Sequence, residues 1–199
     1  MPKVLLCRTL DRSEMKNLIK GAIGIIGILI LPGCQSINQI LPALSPPTTL
    51  AKQPPAASSV AAQSTATTQM EAQVLQQINA IRAKQGLGQL RSNEKLTQVA
   101  RNYSRRMAEQ NFFSHTSPAG DTMVQRVRSA GIFYVTIGEN LFTCTNIPQP
   151  VPASVKGWMN SPGHRKNILR PEYQETGIGV WRRGDTYYFT QLFLRSLSL

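Results

Sequence analysis

No apolar run in this 199-residue chain approaches the roughly 18 residues of a membrane-spanning helix, which excludes a multi-pass membrane protein. Cysteine is scarce: three thiols make one pair at most, so a disulfide scaffold is excluded. Acidic side chains are also few, 10 Asp and Glu against 22 Lys and Arg, for a formal net charge of +12. Histidine occurs twice, as His115 and His164. What remains is 41% apolar and 16% charged, enough for a real core over part of the length. The length admits one ordinary domain with attachments.

The first attachment is an address. Residues 21–33 (GAIGIIGILILPG) carry no charge and follow Lys16 and Lys20, the pattern of a signal-peptide core. The series Leu31-Pro32-Gly33-Cys34 resembles the lipobox of bacterial lipoproteins, although Pro32 departs from that pattern. The resemblance implies cleavage before Cys34 and a lipid on its thiol, with residues 1–33 as a signal peptide. A start at Met15 gives a more compact leader than a start at Met1. Acyl chains on Cys34 would provide stable membrane anchoring; an uncleaved N-terminal anchor is the alternative. Pro, Ala, Ser and Thr fill 21 of the 28 positions of residues 41–68, with Lys52 the only charge. Such a stretch has no apolar face to bury and reads as a disordered tether, so residues 34–68 form a lipidated linker. As coil it reaches on the order of 30 Å.

From Gln69 to Leu199 the pattern is that of a folded domain. Met70, Val74, Ile78 and Ile81 recur at helical spacing up to Gly86. Ser92 is placed to cap a second helix with Leu96, Val99, Ala100, Tyr103 and Met107 on one face, and Asp121 to cap a short third one ending before Gly131. Residues 153–160 predict a fourth, broken at Ser161-Pro162-Gly163. The end of the chain predicts a hairpin, Gly177–Trp181 and Tyr187–Phe193 around a turn at 182–186, and Ile132–Ile137 predicts another strand. Helices first and strands last argue for an α+β domain. It holds sixteen Lys and Arg against eight Asp and Glu. With no nucleic-acid-binding signature, this charge suits anionic lipid or an acidic wall polymer better than nucleic acid, or it is a solvated surface.

The residues able to carry chemistry are His115, Glu139 and His164, each in a turn-rich segment or strand end and about 25 residues apart. Two imidazoles and a carboxylate suit Zn²⁺ with a fourth position for water. Without metal, the same three groups make a hydrogen-bonded pocket in which the carboxylate fixes an imidazole tautomer. Burying Glu139 demands a partner: His115, a cation or backbone amides.

The run from Asn79 to Phe193 resembles the CAP (SCP-domain) superfamily of cysteine-rich secretory, antigen five and pathogenesis-related proteins, in its bacterial branch. The motifs that carry the likeness are Asn79 with Arg82, Phe113-Ser114-His115 with Pro118 and Gly120, and Arg126. They continue with Gly138-Glu139-Asn140-Leu141, Trp158-Met159-Asn160-Ser161-Pro162-Gly163-His164-Arg165, Asn167-Ile168-Leu169, Gly177–Val180 and Thr190–Phe193. The resemblance implies a three-layer α-β-α sandwich with a central antiparallel sheet and a cleft at one end. Relatives with a metal there use two His and two acids. On the match His115 and Glu139 are retained, while the second acid is Ser161 and the second His is Tyr188. His164 is placed to supply the missing imidazole. The implied cleft therefore comprises His115, Glu139, Asn140, Ser161, His164 and Tyr188, with His115, Glu139 and His164 as the metal set.

Arg126 and Arg165 read as structural counter-ions, Trp158 as a packing residue and Cys144 as a buried, unpaired thiol. Ser161 with His164 lacks a nucleophile elbow, so a serine hydrolase is disfavoured. The reading favoured is an exported, lipid-anchored, non-enzymatic binding module facing the periplasm or exterior, for a divalent metal or a small polar, lipid or cell-wall ligand. The alternatives are a metal-dependent hydrolase acting on peptide or wall material, and an interaction module with a vestigial cleft.

Overall fold

In the computed structural model, which describes residues 6–9 and 64–197, Ser64 opens α1 (Thr65–Lys84) by accepting from the Thr67 amide at 3.2 Å. The helix thus begins inside the stretch expected as tether. Met15, Cys34 and the remaining leader and tether, apart from Leu6–Thr9 and residues 64–68, lie outside the described residues. Leu6–Thr9 is a strand, β1.

Two expected caps move by one residue. Ser92 belongs to the two-residue strand β2 (Arg91–Ser92), where it pairs with Thr176, so Asn93 caps α2 (Glu94–Glu109) through the Leu96 amide at 3.0 Å. Thr122, with Gln125 in a capping box, opens α3 (Met123–Ser129), because the carboxylate of Asp121 is drawn to Arg106 at 2.8 Å. Beyond these lie β3 (Tyr134–Thr145), α4 (Pro150–Asn160), α5 (Pro162–Ile168), β4 (Glu175–Arg183) and β5 (Thr186–Ser196). Ser161-Pro162-Gly163 does break α4, but Pro162 then starts another helix, a position where its missing N–H costs nothing.

The sheet runs β1-β3-β5-β4-β2, antiparallel except for the short β2–β4 pair. Alternation along the strands separates two cores. Phe142, Cys144, Ile178, Val180, Phe189 and Phe193 face α1, α4 and α5, and Trp158 of α4 donates its indole N–H to the Leu141 carbonyl at 3.0 Å. Leu141, Tyr188, Leu192 and Leu194 face α2 and α3. The α2 backbone crosses β4 so closely that a Cβ at Gly177 or Gly179 would collide with the main chain of Leu96 or Ala100, which is why two glycines stand there. The result is the three-layer α-β-α arrangement of an α+β fold.

Two features position the end of the sheet where the site lies. Arg82, fully buried, donates to the carbonyls of Gly88, Ile168, Arg170 and Tyr173 at 2.8–3.2 Å, pinning the exit of α5 to α1. Strand β1 covers β3 only from Phe142 to Thr145, so among the described residues the edge from Tyr134 to Leu141 has no strand beside it. Cys7 faces Cys144 across that short pairing; burial pushes the Cys144 thiol up to about 12, outside the reactive range. No described helix is long and apolar enough to cross a membrane.

Candidate functional site

Gly138, Glu139 and Asn140 lie in β3, so their side-chain directions alternate between the two layers. Glu139 points toward α3 and the loop after α2. Its Oε1 meets His115 Nδ1 at 2.7 Å, and its Oε2 accepts from Arg126 Nη2 at 2.7 Å. Asn140 points the other way: its Nδ2 donates to the His164 carbonyl at 3.2 Å and its Oδ1 accepts from Asn167 Nδ2 at 2.9 Å. Asn167 also donates to the Glu139 carbonyl at 3.2 Å, tying α5 to the uncovered strand edge. Gly138 has no room for a side chain, because a Cβ would strike the hydroxyl of Tyr173 and then Asn167.

Two neighbouring residues therefore hold the His115 ring and the His164 backbone from opposite faces of one strand. The rings of His115 and His164 approach to 6.5 Å between centroids, with planes 35° apart. Both line a cavity of about 520 Å³ together with Glu139, Asn167, Tyr173 and the exposed Lys166. The carboxylate at Nδ1 makes that nitrogen the donor of the neutral ring, leaving Nε2 as its acceptor.

Arg126 holds the His115 side of this arrangement together. Besides Glu139 it donates to the carbonyls of His115 at 3.2 Å and Asp121 at 3.1 Å, and its guanidinium lies 3.3 Å over the ring of Tyr103. Tyr103 in turn donates to the Ser114 carbonyl at 2.5 Å, and burial raises its phenol above the ordinary range. Asp121 receives Arg106 and the hydroxyl of Ser117; Arg106 is the first cause of a carboxyl pushed down to about 2.

Of the residues expected in the cleft, His115, Glu139 and His164 line this cavity and Asn140 braces it from behind. Ser161 and Tyr188 require a correction. Ser161 sits at the α4–α5 junction beside Asn160 and Gly157, in a separate small hollow. Tyr188 projects to the α2 face and packs with Tyr103, Met107 and Leu141. Arg165 is exposed on α5 and forms no buried ion pair. The far wall, made by Lys166, Asn167, Arg170 and Tyr173, was not singled out as cleft; the spacing of His164 and Asn167 on one helix was the available signal.

A divalent cation does not fit Glu139 here. Both carboxylate oxygens already accept charge-assisted or imidazole hydrogen bonds, and a guanidinium within 2.7 Å would repel a cation bound at that group. Among the described residues no cluster of three or more His, Cys, Asp or Glu side chains is arranged to hold a metal ion. The arrangement can instead present an oriented His115 imidazole, the neighbouring His164 ring and a basic rim to a polar ligand.

Comparison with known proteins agrees with the fold. The family model described as the cysteine-rich secretory protein family, CAP, matches residues 75–193. Two proteins of Bacillus subtilis (strain 168) are similar: uncharacterized protein YkwD is 41% identical over 124 residues, 62% of this chain and 46% of its own length. The uncharacterized membrane protein YlbC is 37% identical over 128 residues, 64% of this chain and 35% of its own. The chain thus spans less than half the length of these relatives. Among solved structures, an extracellular SCP-domain protein from Bacillus anthracis superposes with a TM-score of 0.58 at 30% identity, covering 65% of this chain and 41% of that one. An outer surface protein of Borrelia burgdorferi shares the fold, with a TM-score of 0.60 at 23% identity over 66% of this chain and 96% of its own.

Proposed function

The chain belongs to the cysteine-rich secretory protein (CAP) family, and from that premise we propose that it is a non-enzymatic binding module of the bacterial cell envelope. Its ligand is a small polar molecule bearing an anionic group, of the kind that cell-wall fragments supply. The observation that carries this reading is the two-sided use of β3: Glu139 orients His115 and Asn140 holds the His164 segment, so both rings meet at the cavity. Lys166 and Arg170 on the far wall add positive charge, while Glu139 is already neutralised by Arg126. A carboxylate or phosphate complements these two cations, and a ligand hydroxyl complements the acceptor nitrogen of His115.

The envelope setting is supported by the relatives, one described as extracellular and one as a membrane protein, and by the lipobox-like Leu31–Cys34. Anchorage at Cys34, with cleavage before it, would remove β1, uncover Phe142–Thr145 of β3 and put the domain outside the membrane with its tether as spacer. A metal-dependent hydrolase is the weaker reading, because its carboxylate ligand is occupied by Arg126.

Calorimetric titration of the full chain with muropeptides tests the proposal. Lys166→Ala is expected to weaken binding by about tenfold, the size of one lost charge-assisted contact, and His115→Ala by about fivefold through the lost hydrogen bond at Nε2. Muropeptide affinity unchanged in both variants would reject the site. A parallel titration with Zn²⁺, in which Glu139→Gln weakened binding as much as His115→Ala, would restore Glu139 as a metal ligand.

A further inference from the structure

The large apolar side chains exposed among the described residues are Phe133, Val135 and Leu197, at 79%, 54% and 54%. They are not scattered. Tyr134 is the register partner of Ser196, so Phe133 and Leu197 are the next positions outward, just beyond the ends of the same two strands. Val135 is the extra residue of a bulge: Tyr134 and Thr136 pair with Ser196 and Arg195, leaving Val135 between them without an opposite number. A bulge re-aims the side chain it carries, and here the re-aimed valine stands in solvent. One end of the β3–β5 pair therefore shows a phenylalanine, a valine and a leucine to water.

Cations border this tip. Arg195 is exposed opposite Thr136, and Arg128 is exposed in the last turn of α3, just before the Gly131 turn that leads to Phe133. Arg170 lies nearby through Glu172, a carboxylate that pairs with it at 3.3 Å and also feels Arg195, while Glu175, which accepts from Ser196, is itself paired with Arg91 at 3.6 Å. The domain as a whole has sixteen Lys and Arg against eight Asp and Glu from Gln69 onward.

We propose that this tip docks the domain on an anionic lipid surface, with Phe133, Val135 and Leu197 entering the interface and Arg128 and Arg195 meeting the headgroups. The apolar residues decide between occupants. An acidic wall polymer would satisfy the arginines yet leave Phe133 in water, whereas the headgroup–acyl boundary takes both. Ile137, two residues along β3 from Val135, lines the cavity, so docking by the tip would set the cleft close to the lipid. This inference concerns a surface outside the cleft and stands whether or not the cleft's ligand is a wall fragment.

The test uses the full chain reconstituted on vesicles, with tryptophan introduced at the tip and quenched by brominated lipids. Phe133→Trp should be quenched well beyond the wild-type background of Trp158 and Trp181 in brominated phosphatidylglycerol. Asp185→Trp, in the turn at the opposite end of β5, should not be. Adding Arg195→Gln should weaken insertion by about fivefold, the factor for one basic residue at an anionic surface. Equal quenching at positions 133 and 185, or none at 133, overturns the proposal. So does protection of Phe133→Trp from aqueous iodide by poly(glycerol phosphate) without lipid, which would assign the surface to a polymer. A Phe133→Ser chain with unchanged thermal stability confirms that any loss is one of docking, not of folding.

Discussion

Two buried glutamates are each clamped by an arginine in this domain, one at the edge of β4 and one beneath β3, and they do different work. Glu71 of α1 takes Arg101 through Nε and Nη2 at 2.7–3.2 Å and the Val180 amide at 3.0 Å. It joins α1, α2 and β4 at a buried junction, and desolvation raises its pKa more than Arg101 lowers it. Glu139 takes Arg126 and, in place of a backbone amide, an imidazole that lines a cavity. An arginine–carboxylate pair is therefore no mark of function by itself. What separates them is the third partner: an amide locks a strand, whereas an imidazole passes the carboxylate's orientation to something outside.

Removing each arginine tests that distinction most severely. Arg101→Ala takes the cation away from a buried Glu71, and breaking such a buried pair costs about 3–5 kcal/mol. The urea midpoint should fall accordingly, while muropeptide affinity of the folded fraction is retained. Arg126→Ala should cost less, about 2 kcal/mol, because Glu139, though as buried as Glu71, keeps the His115 side chain as a partner. Its larger consequence is a loss of about tenfold or more in muropeptide affinity, since the His115 and Asp121 carbonyls lose their shared donor. Equal destabilisation by both substitutions, with binding intact in both, would erase the comparison.

The sequence made much of this legible, and its failures have physical causes. Helix periodicity located α1 and α2, and the turn at residues 182–186 located the β4–β5 hairpin, because each is set by local spacing. Strand β3 was seen only at its start: Gly138 and Asn140 are weak strand formers, and the strand continues through them because β5 pairs with every residue from Thr136 to Thr145. The caps at Ser92 and Asp121 were each one residue early. Two good capping side chains stood side by side, and a distant partner, Thr176 or Arg106, took one of them. His115, Glu139 and His164 could be picked out as rare polar groups in a family-like pattern. That Glu139 and Asn140 serve opposite layers follows from strand alternation, but only once the segment is known to be strand. Ser161 and Tyr188 were assigned by position in the family pattern, which does not say which side of the sheet a residue faces.

The smallest effect concerns pH and contrasts Glu71 with Asp121, the carboxylate beneath the His115 loop. Asp121 is depressed from 3.8 to about 2, chiefly by Arg106. A depressed carboxyl contributes stability that is present above its unfolded pKa and lost as pH falls through the folded one. Its share therefore disappears as pH drops from 3.8 to about 2. Glu71 is shifted upward, so its share has the opposite sign: acidification through its raised pKa favours the fold. Urea midpoints measured against pH should show Asp121→Asn flattening the decline below 3.8, the ordinary value of that carboxyl, and leaving the profile above it parallel to wild type. Asp121 is partly exposed and solvent screens its ion pairs, so the change is small. Its structural signature is specific. Acid should loosen the loop carrying His115, through Ser117, Arg106 and Arg126, before it reaches the junction at Glu71. Amide exchange that opened residues 114–121 and the α1–β4 contact together would show that the two clamps yield as one unit.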